Sequence, residues 1–209
     1  MIEIQRRSPI TIWASPVRIE SRDRWTVVLE YGNEGAGPWL VDLSHRPKWD
    51  LQDRDISQVS SFGIPMPQRP GTCRLENGIL LNRVNETRAS VWCLKGEAPE
   101  APEGSAYTDT TEASAFLALA GNNVFCIAEK LTSLDLADPG KNPPFLLQGP
   151  FSHVPCQVVV LERNGQGGIV LLTCARGYGQ DMVHSILDAG EEFGLRPAGE
   201  DALEKAMNS

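Results

Sequence analysis

Residues 39–52, WLVDLSHRPKWDLQ, decide the fold of this chain. Their apolar opening, from Trp39 to Leu43, has the composition of a buried strand, and Trp49 and Leu51 alternate with polar residues as in a second strand. The residues between them are mostly polar, which is typical of a turn. The stretch therefore predicts a strand, a turn and a second strand, followed by a short helix that begins at about Asp53.

Asp42 and Ser44 are the first candidates for a functional site. Because side chains alternate between the two faces of an extended chain, these two project from the same face of the first strand. Polar groups on an otherwise apolar strand need partners, which either the protein or a ligand supplies. A serine-hydrolase pair is not predicted, since His45 follows Ser44 directly and so points to the opposite face.

Strand patterns dominate the first half of the chain, where β-branched and aromatic residues recur between loop signals. The predicted strands outside the opening stretch are residues 10–13, 24–31, 72–75, 79–85 and 88–94. The segment KGEAPEAPEG, residues 95–104, is an acidic, proline-rich loop and the best internal break. We therefore divide the chain into two α+β halves, 1–94 and 105–209, that together form one compact unit.

The second half mixes strands and helices. Residues 105–121, SAYTDTTEASAFLALAG, predict two strands around a threonine-rich turn, and the alternative is one helix over 112–120 because Ala and Leu favour helix. The clearest hairpin is 156–174, with two β-branched runs around an Asn-Gly turn. Apolar residues at helical spacing predict further helices in this half, the last of them near the end of the chain, and one more short strand is predicted. These are helices at 122–131, 179–194 and 200–206 and a short strand at 145–148.

A spacing of polar and aromatic residues occurs in both halves. It consists of an acidic residue, a hydroxyl residue two positions later and an aromatic residue five positions after that, namely Asp42, Ser44 and Trp49, then Asp109, Thr111 and Phe116. Such a repeat predicts pseudo-symmetric halves. With strands dominating and helices on one face, the summed pattern predicts an α+β fold.

Composition and charge narrow the function classes. The chain has 209 residues, a net charge of −8 and a sequence pI of about 4.9, which argues against a general nucleic-acid-binding protein. No apolar run reaches membrane-spanning length and no signal-peptide core follows the N-terminal charges, so we expect a cytoplasmic protein without membrane contact. The five cysteines form no C-x-x-C pair and the three histidines show no ligand spacing, so no metal site is predicted.

Four segments in order carry a resemblance to a known family: VDLSHR, NGILLN, TDTTEASAFLALAGNN and GLRPAGEDAL, within residues 39–203. They resemble the folate-binding region of the glycine-cleavage T-protein (aminomethyltransferase) superfamily. That superfamily also includes the gamma subunit of heterotetrameric sarcosine oxidase and a folate-binding iron–sulfur assembly protein. The resemblance implies an α+β folate-binding domain of aminomethyltransferase type, in which two interleaved ferredoxin-like halves carry antiparallel sheets.

The resemblance also implies where a folate site would lie. In the family, a catalytic Asp follows a glycine-rich hairpin, and the matching positions here are Leu81 and Asn82. A family Glu before the Gly of a second hairpin corresponds to Gln166. An amide accepts hydrogen bonds more weakly than a carboxylate and cannot take up a proton. Binding of tetrahydrofolate is therefore expected through the polar candidates, with no catalytic residue assigned; the candidates are Asp42, Ser44, Asn82 and Gln166.

Two functions follow from these observations. The first is a folate-binding, aminomethyltransferase-like protein of one-carbon metabolism, and any enzymatic activity would be tetrahydrofolate-dependent aminomethyl transfer. The alternative is a non-catalytic gamma-type subunit of a sarcosine-oxidase-like complex, whose partner is a larger oxidoreductase chain or a glycine-cleavage-type protein. The two amides at acidic family positions, and the end of the sequence soon after GLRPAGEDALEKA, favour the subunit.

Overall fold

Strands make up most of the fold in a computed structural model, which describes residues 5–12, 14–96, 99–100 and 106–208. The strands are β1 Pro16–Arg22, β2 Trp25–Tyr31, β3 Trp39–Asp42, β4 Lys48–Gln52, β5 Ser60–Ser61, β6 Ile64–Pro65, β7 Cys73–Glu76, β8 Ile79–Arg83, β9 Arg88–Cys93, β10 Tyr107–Asp109, β11 Ser114–Asn122, β12 Phe145–Phe151, β13 Val154–Arg163, β14 Gly167–Ala175 and β15 Arg196–Ala198. The α-helices are α1 Val124–Glu129, α2 Gly179–Gly190 and α3 Glu200–Ala206, with single 3₁₀ turns at Arg176–Tyr178 and Glu191–Phe193.

Two large sheets organise these elements. One has five strands in the order β10-β4-β9-β8-β7, and the other has six in the order β12-β13-β14-β11-β3-β15. All neighbouring strands are antiparallel except β15 and β3, which are parallel. Two two-stranded ribbons, β1-β2 and β5-β6, complete the pairing. The prediction of an α+β fold with antiparallel sheets is confirmed.

Three apolar cores hold the layers together. Between the two sheets, the ring of Trp92 from β9 lies 5.0 Å from that of Phe116 in β11. The other face of the six-stranded sheet is covered by α1 and α2. The other face of the five-stranded sheet packs on the segment that carries β5 and β6, where Trp49 and Phe62 have ring centroids 5.3 Å apart. The two-sheet layer therefore has apolar contacts on both of its outer faces.

The strand–turn–strand prediction for residues 39–52 is confirmed, but the two strands enter different sheets. After β3 the chain leaves the six-stranded sheet, turns at residues 43–47 and enters the five-stranded sheet as β4. Residues 110–113, between β10 and β11, run in the reverse direction, from the five-stranded sheet to the six-stranded sheet. We call residues 43–47 and 110–113 the two passages. At these passages β3 pairs with β11 and β4 pairs with β10, so each half of the chain contributes a strand to the sheet of the other.

The repeated residue spacing corresponds to a repeated local geometry at these two passages. Asp42 Oδ1 accepts a hydrogen bond from the Ser44 N–H at 2.8 Å, and Asp109 Oδ1 accepts one from the Thr111 N–H at 2.8 Å. Each hydroxyl then accepts from the backbone of the strand that follows the opposite passage: Ser44 Oγ from the Phe116 N–H at 3.1 Å, and Thr111 Oγ1 from the Lys48 N–H at 3.0 Å. The two hydroxyls thus connect the passages reciprocally.

Most of the other element predictions are confirmed, including the hairpin of β13 and β14 and the helix α3 with its predicted bounds. The helix predicted at about Asp53 is wrong. In its place, Asp53 Oδ1 and Asp55 Oδ1 accept hydrogen bonds from the N–H groups of Arg54 and Ser57, and such local bonds compete with helix formation.

Two further predictions differ from the structure. The alternative helix over 112–120 is wrong, because those residues turn into β11, a central strand covered on both faces. The strand at 10–13 is also wrong where it can be seen: residues 10–12 belong to no strand, and Trp13 lies outside the described residues. Of the loop at 95–104, the described residues 95, 96, 99 and 100 lie in no strand or helix, and the remainder lies outside the described part.

Candidate functional site

A cavity of about 460 Å³ lies between the two sheets, a volume within the usual range for small-molecule sites. Its walls come from β4 and β9 on one side and from β12, β13 and β14 on the other. Polar side chains line both sides, among apolar ones. They include Lys48, Asp50, Arg88 and Ser90 from the five-stranded sheet and Gln148, Gln157 and Thr173 from the six-stranded sheet.

An ion pair stands on the five-stranded wall of the cavity. Arg88 Nε lies 2.6 Å from Asp50 Oδ1, and the Gln52 amide donates to the other carboxylate oxygen. The Asp50 side chain is 11% exposed, whereas that of Arg88 is 45% exposed. The carboxylate is thus fixed by two donors and offers its remaining lone pairs to the cavity.

A chain of polar side chains crosses from one sheet to the other beside this pair. The Asn82 amide donates to Ser90 Oγ at 3.3 Å, and the Ser90 hydroxyl donates to Gln157 Oε1 at 2.8 Å. Asn82 is fully buried behind Ser90, and its Oδ1 has no partner among the described residues. A buried acceptor without a partner is unfavourable, so this oxygen is a place where a ligand or water donor would stabilise the protein.

Lys48 lies at one end of the cavity, where sequence reasoning did not select it. Its ammonium group is buried and donates to the backbone carbonyls of Ser44 and Arg46 at 3.0 and 2.9 Å. Desolvation lowers the pKa of Lys48 to about 7, against the opposing charges of Asp42 and Asp109. The available signal was a lysine at the start of a short strand of alternating polar and apolar residues, within the stretch that decides the fold.

The structure does not bring the four predicted site residues together. Asp42 and Ser44 lie at the passage between the sheets and take their partners from the protein, since the Ser8 hydroxyl also donates to Asp42. Gln166 is exposed in the β13–β14 turn, at the opposite end of that hairpin from Gln157. Asn82 is therefore the candidate that adjoins the inter-sheet cavity, through its contact with Ser90.

A second polar cluster surrounds Glu200 at the start of α3. Its carboxylate lies 2.7 Å from Arg22 Nη1, 2.5 Å from Arg46 Nη2 and 3.0 Å from His45 Nε2; Arg46 is buried and the His45 side chain is 7% exposed. Burial acts to raise the pKa of Glu200, but the hydrogen bond and charge of His45, the charge of Arg46 and the hydrogen bond of Arg22 hold it at about 2. This cluster ties α3 to β1 and to the turn at residues 43–47.

Neither a metal centre nor a membrane segment emerges from the described part of the chain. No group of three or more His, Cys, Asp or Glu side chains there is arranged to hold a metal ion. The helices among the described residues are too short or too polar to cross a membrane.

Comparison with known proteins gives a match at the level of structure. No protein-family model and no curated protein matches the sequence. Among solved structures, a chain of heterotetrameric sarcosine oxidase from Corynebacterium sp. U-96, solved in complex with pyrrole 2-carboxylate, matches with a TM-score of 0.62 and 15% sequence identity. The match covers 77% of this chain and 88% of that chain. The resemblance to the superfamily that includes sarcosine oxidase is confirmed for the fold.

Proposed function

We propose that this chain is a non-catalytic, gamma-type subunit of a sarcosine-oxidase-like complex and docks against a larger oxidoreductase chain. The observation that carries the proposal is the shared fold, which extends over 88% of a chain that belongs to a heterotetrameric enzyme. A similarity over most of both chains is expected for a corresponding subunit. A chain that shared only a fragment of that fold would match only part of the solved chain.

The chemistry of the inter-sheet cavity supports a non-catalytic role. General acid–base catalysis needs a group that exchanges a proton near the working pH. The carboxylate of Asp50 is already paired with Arg88, and the neighbouring Asn82 and Gln157 are amides that cannot take up a proton. Lys48, whose pKa is about 7, is a lining group that titrates near neutrality, and two of its three ammonium hydrogens donate to backbone carbonyls.

The β1–β2 ribbon is the surface that we propose for docking the larger chain. Val17 and Ile19 in β1 are 68% and 57% exposed, and β1 has no strand partner along its other edge within the described residues. Exposed apolar side chains on an open strand edge are typical of surfaces that bind another chain. The same strand is anchored to the body of the protein by the ion pair between Arg22 and Glu200, so the edge is held in a fixed position.

Charged substitutions on the ribbon test this proposal. The double variant Val17→Glu/Ile19→Glu is expected to lose the larger chain during isolation from the native host, because two charges would be buried at the interface. The matched control is Tyr178→Glu, which changes an exposed apolar residue, 50% accessible, outside the ribbon. The control is expected to keep the partner and its sarcosine-dependent oxygen consumption. A double variant that keeps the partner as well would place the interface elsewhere.

A second candidate function is tetrahydrofolate binding in the inter-sheet cavity, with or without aminomethyl transfer. Two groups favour it: the Asp50 carboxylate, which lines the cavity and can accept N–H groups of a pterin ring, and the unpartnered Asn82 Oδ1, which lies fully buried behind Ser90 and would be reached only if Ser90 shifts. These residues would hold and orient the ring. The bound folate would supply the one-carbon chemistry, for which the described cavity offers no unpaired carboxylate.

A thermal-shift titration with tetrahydrofolate and 5-formyltetrahydrofolate tests the second candidate. A ligand at about a hundred times its Kd stabilises a protein by about 2.7 kcal/mol, a shift of a few degrees. Asp50→Asn is expected to remove the shift, whereas Gln166→Ala, in the distant hairpin turn, is expected to keep it. No shift with the wild-type protein would exclude folate and leave the subunit proposal untouched.

We further propose that the halves 1–94 and 105–209 are the two interleaved ferredoxin-like units of this fold. The exchange of strands at the two passages, and the reciprocal bonds of Ser44 and Thr111, support this division.

A further inference from the structure

Two of the five cysteines occupy facing positions on neighbouring strands. Cys156 lies in β13 and Cys174 in β14, and the register of this antiparallel pair joins Gln157 to Thr173. The next facing pair along the two strands is therefore Cys156 and Cys174, whose side chains point to the same face of the sheet. Both cysteines are free and buried.

The spacing of facing residues suits a disulfide. In an antiparallel pair, the Cα atoms of facing residues lie about 4.5 or about 5.5 Å apart, depending on the hydrogen-bonding pattern. Disulfides join Cα atoms that are about 4.4–6.8 Å apart. Either pattern therefore lets Cys156 and Cys174 form a bond without separating β13 from β14.

The two thiols also differ in their protonation. A hydrogen bond from Cys156 lowers the pKa of Cys174, against the effect of burial. The pKa of Cys156 is raised by that same hydrogen bond and by burial. Because the thiolate is the nucleophile, Cys174 is the sulfur that attacks first and Cys156 is the one that resolves.

The pair lies in the six-stranded sheet beside the inter-sheet cavity. Both residues line the inter-sheet cavity, but their side chains belong to the apolar core under α1 and α2, on the opposite face of the sheet from the neighbouring Gln157 and Thr173. The other three cysteines are placed differently: Cys126 is exposed, and Cys73 and Cys93 lie in strands that are separated by β8. The five cysteines therefore offer one facing pair.

We propose that Cys156 and Cys174 form a peroxide-sensitive dithiol that closes reversibly to a disulfide across β13 and β14. In the first step, the Cys174 thiolate attacks one oxygen of hydrogen peroxide, which breaks the O–O bond, releases hydroxide and leaves a sulfenic acid. In the second step, the Cys156 sulfur attacks the Cys174 sulfur and the hydroxyl leaves as water with the Cys156 proton. The two sulfurs are oxidised together by two electrons and one peroxide is reduced.

Thiol counting with peptide mapping tests this proposal. The reduced protein, in a Cys126→Ser background that prevents cross-linking between chains, is treated with hydrogen peroxide, denatured and alkylated. We expect the loss of two alkylation sites and a linked peptide pair that contains Cys156 and Cys174 and is two hydrogens lighter. A thiol reductant is expected to restore both sites.

Variants separate the roles of the two sulfurs. Cys156→Ser, which keeps a hydrogen-bond donor beside Cys174, is expected to stop at a sulfenic acid on Cys174, which dimedone would label, whereas Cys174→Ala is expected to leave Cys156 as a thiol. The matched control is Cys93→Ala, which removes a buried cysteine outside the pair and is expected to behave like the parent protein. If the parent protein keeps all four remaining thiols, or forms a linkage between other cysteines, the proposal is wrong. The parent peptide map decides this even if a variant fails to fold.

Discussion

Burial of the Lys48 ammonium group destabilises the folded protein. Its folded pKa of about 7 lies below the value of 10.5 for an exposed lysine, so between these pH values the unfolded chain binds more protons than the folded one. The free energy of unfolding therefore rises with pH in that window, by at most about 1.4 kcal/mol per pH unit. This loss of unfolding free energy comes from one side chain, so a single substitution can remove it.

The corresponding prediction concerns Lys48→Met, which keeps the length of the side chain and removes the charge. Between pH 7 and pH 8.5, the wild-type protein is expected to gain about 1–2 kcal/mol of unfolding free energy relative to the variant. Urea denaturation at several pH values measures this difference. Parallel pH profiles for the two proteins would show that the ammonium group is not desolvated.

Glu200 has the opposite pH dependence. Its folded pKa of about 2 lies below its ordinary 4.5, so its contribution to stability is present above about pH 4.5 and is lost as the pH falls toward 2. Glu200→Gln is expected to lower the unfolding free energy by about 3 kcal/mol at pH 7, with the deficit shrinking below pH 4.5. Glu204→Gln is the matched control, because Glu204 lies 3.9 Å from Arg46 but is 49% exposed and should cost less than about 0.5 kcal/mol. Equal effects of the two substitutions would contradict this assignment.

The sequence predicted that Asp42 and Ser44 need partners but could not name them, and it placed Ser44 on the first strand, whereas β3 ends at Asp42 and Ser44 lies in the turn. The requirement that Asp42 and Ser44 find partners follows from the apolar strand around them. The partner of Ser44 Oγ is the N–H of Phe116, 72 positions away, and no local pattern predicts that distance. Lys48 and Glu200 were missed for the same reason, since their environments are assembled by remote segments.

At the scale of elements, each passage between the sheets is stabilised by one side-chain hydroxyl group that accepts a hydrogen bond from the backbone of the strand that follows the other passage. Ser44→Ala and Thr111→Val each remove the acceptor of a buried backbone N–H, and each is expected to cost about 1–3 kcal/mol. Ser114→Ala is the control, because its part-buried hydroxyl donates to a local carbonyl in the adjoining passage. Thermal unfolding measures the three effects. A cost for only one of the first two variants would show that the passages are not equivalent.

The junction of β15 and α3 requires a glycine because the backbone of β2 approaches it closely. A Cβ atom on Gly199 would overlap the backbone of Leu29 and Glu30, and the Gly199 N–H donates to Glu34 Oε1 at 2.7 Å. Gly199→Ala is therefore expected to cost about 2–3 kcal/mol. Gly165→Ala, where a Cβ would meet nothing within 4 Å, is expected to change the unfolding free energy by less than about 0.5 kcal/mol. Comparable stability of the two variants would mean that α3 shifts freely on β2.

Elements were predictable where the signal is local. The hairpin of β13 and β14 follows from two β-branched runs around an Asn-Gly turn, and α3 follows from its own composition. The helix predicted at about Asp53 failed because two aspartates satisfy nearby N–H groups in turns. The alternative helix over 112–120 failed because pairing with β3 and β14 outweighs the helix propensity of Ala and Leu.

For the whole molecule, the sequence predicted the fold class but not the cavity. Composition and strand patterns indicate an α+β protein, and the ordered segments resemble a superfamily with one member whose fold this chain shares. The cavity between the sheets depends on β4 and β9 facing β13 and β14, which is a consequence of the two passages. Three of the four predicted site residues consequently lie elsewhere, and Asn82 adjoins the cavity through Ser90.

The most direct test of the subunit proposal is the mass of the particle that contains this chain in its native host. The chain is tagged at its own expression level, isolated under mild conditions and measured by native mass spectrometry. We predict an equimolar complex with a larger chain, and sarcosine-dependent oxygen consumption in the same fraction. A particle at the mass of the chain alone, 22.9 kDa, or at a small multiple of it without another chain, would contradict the proposal.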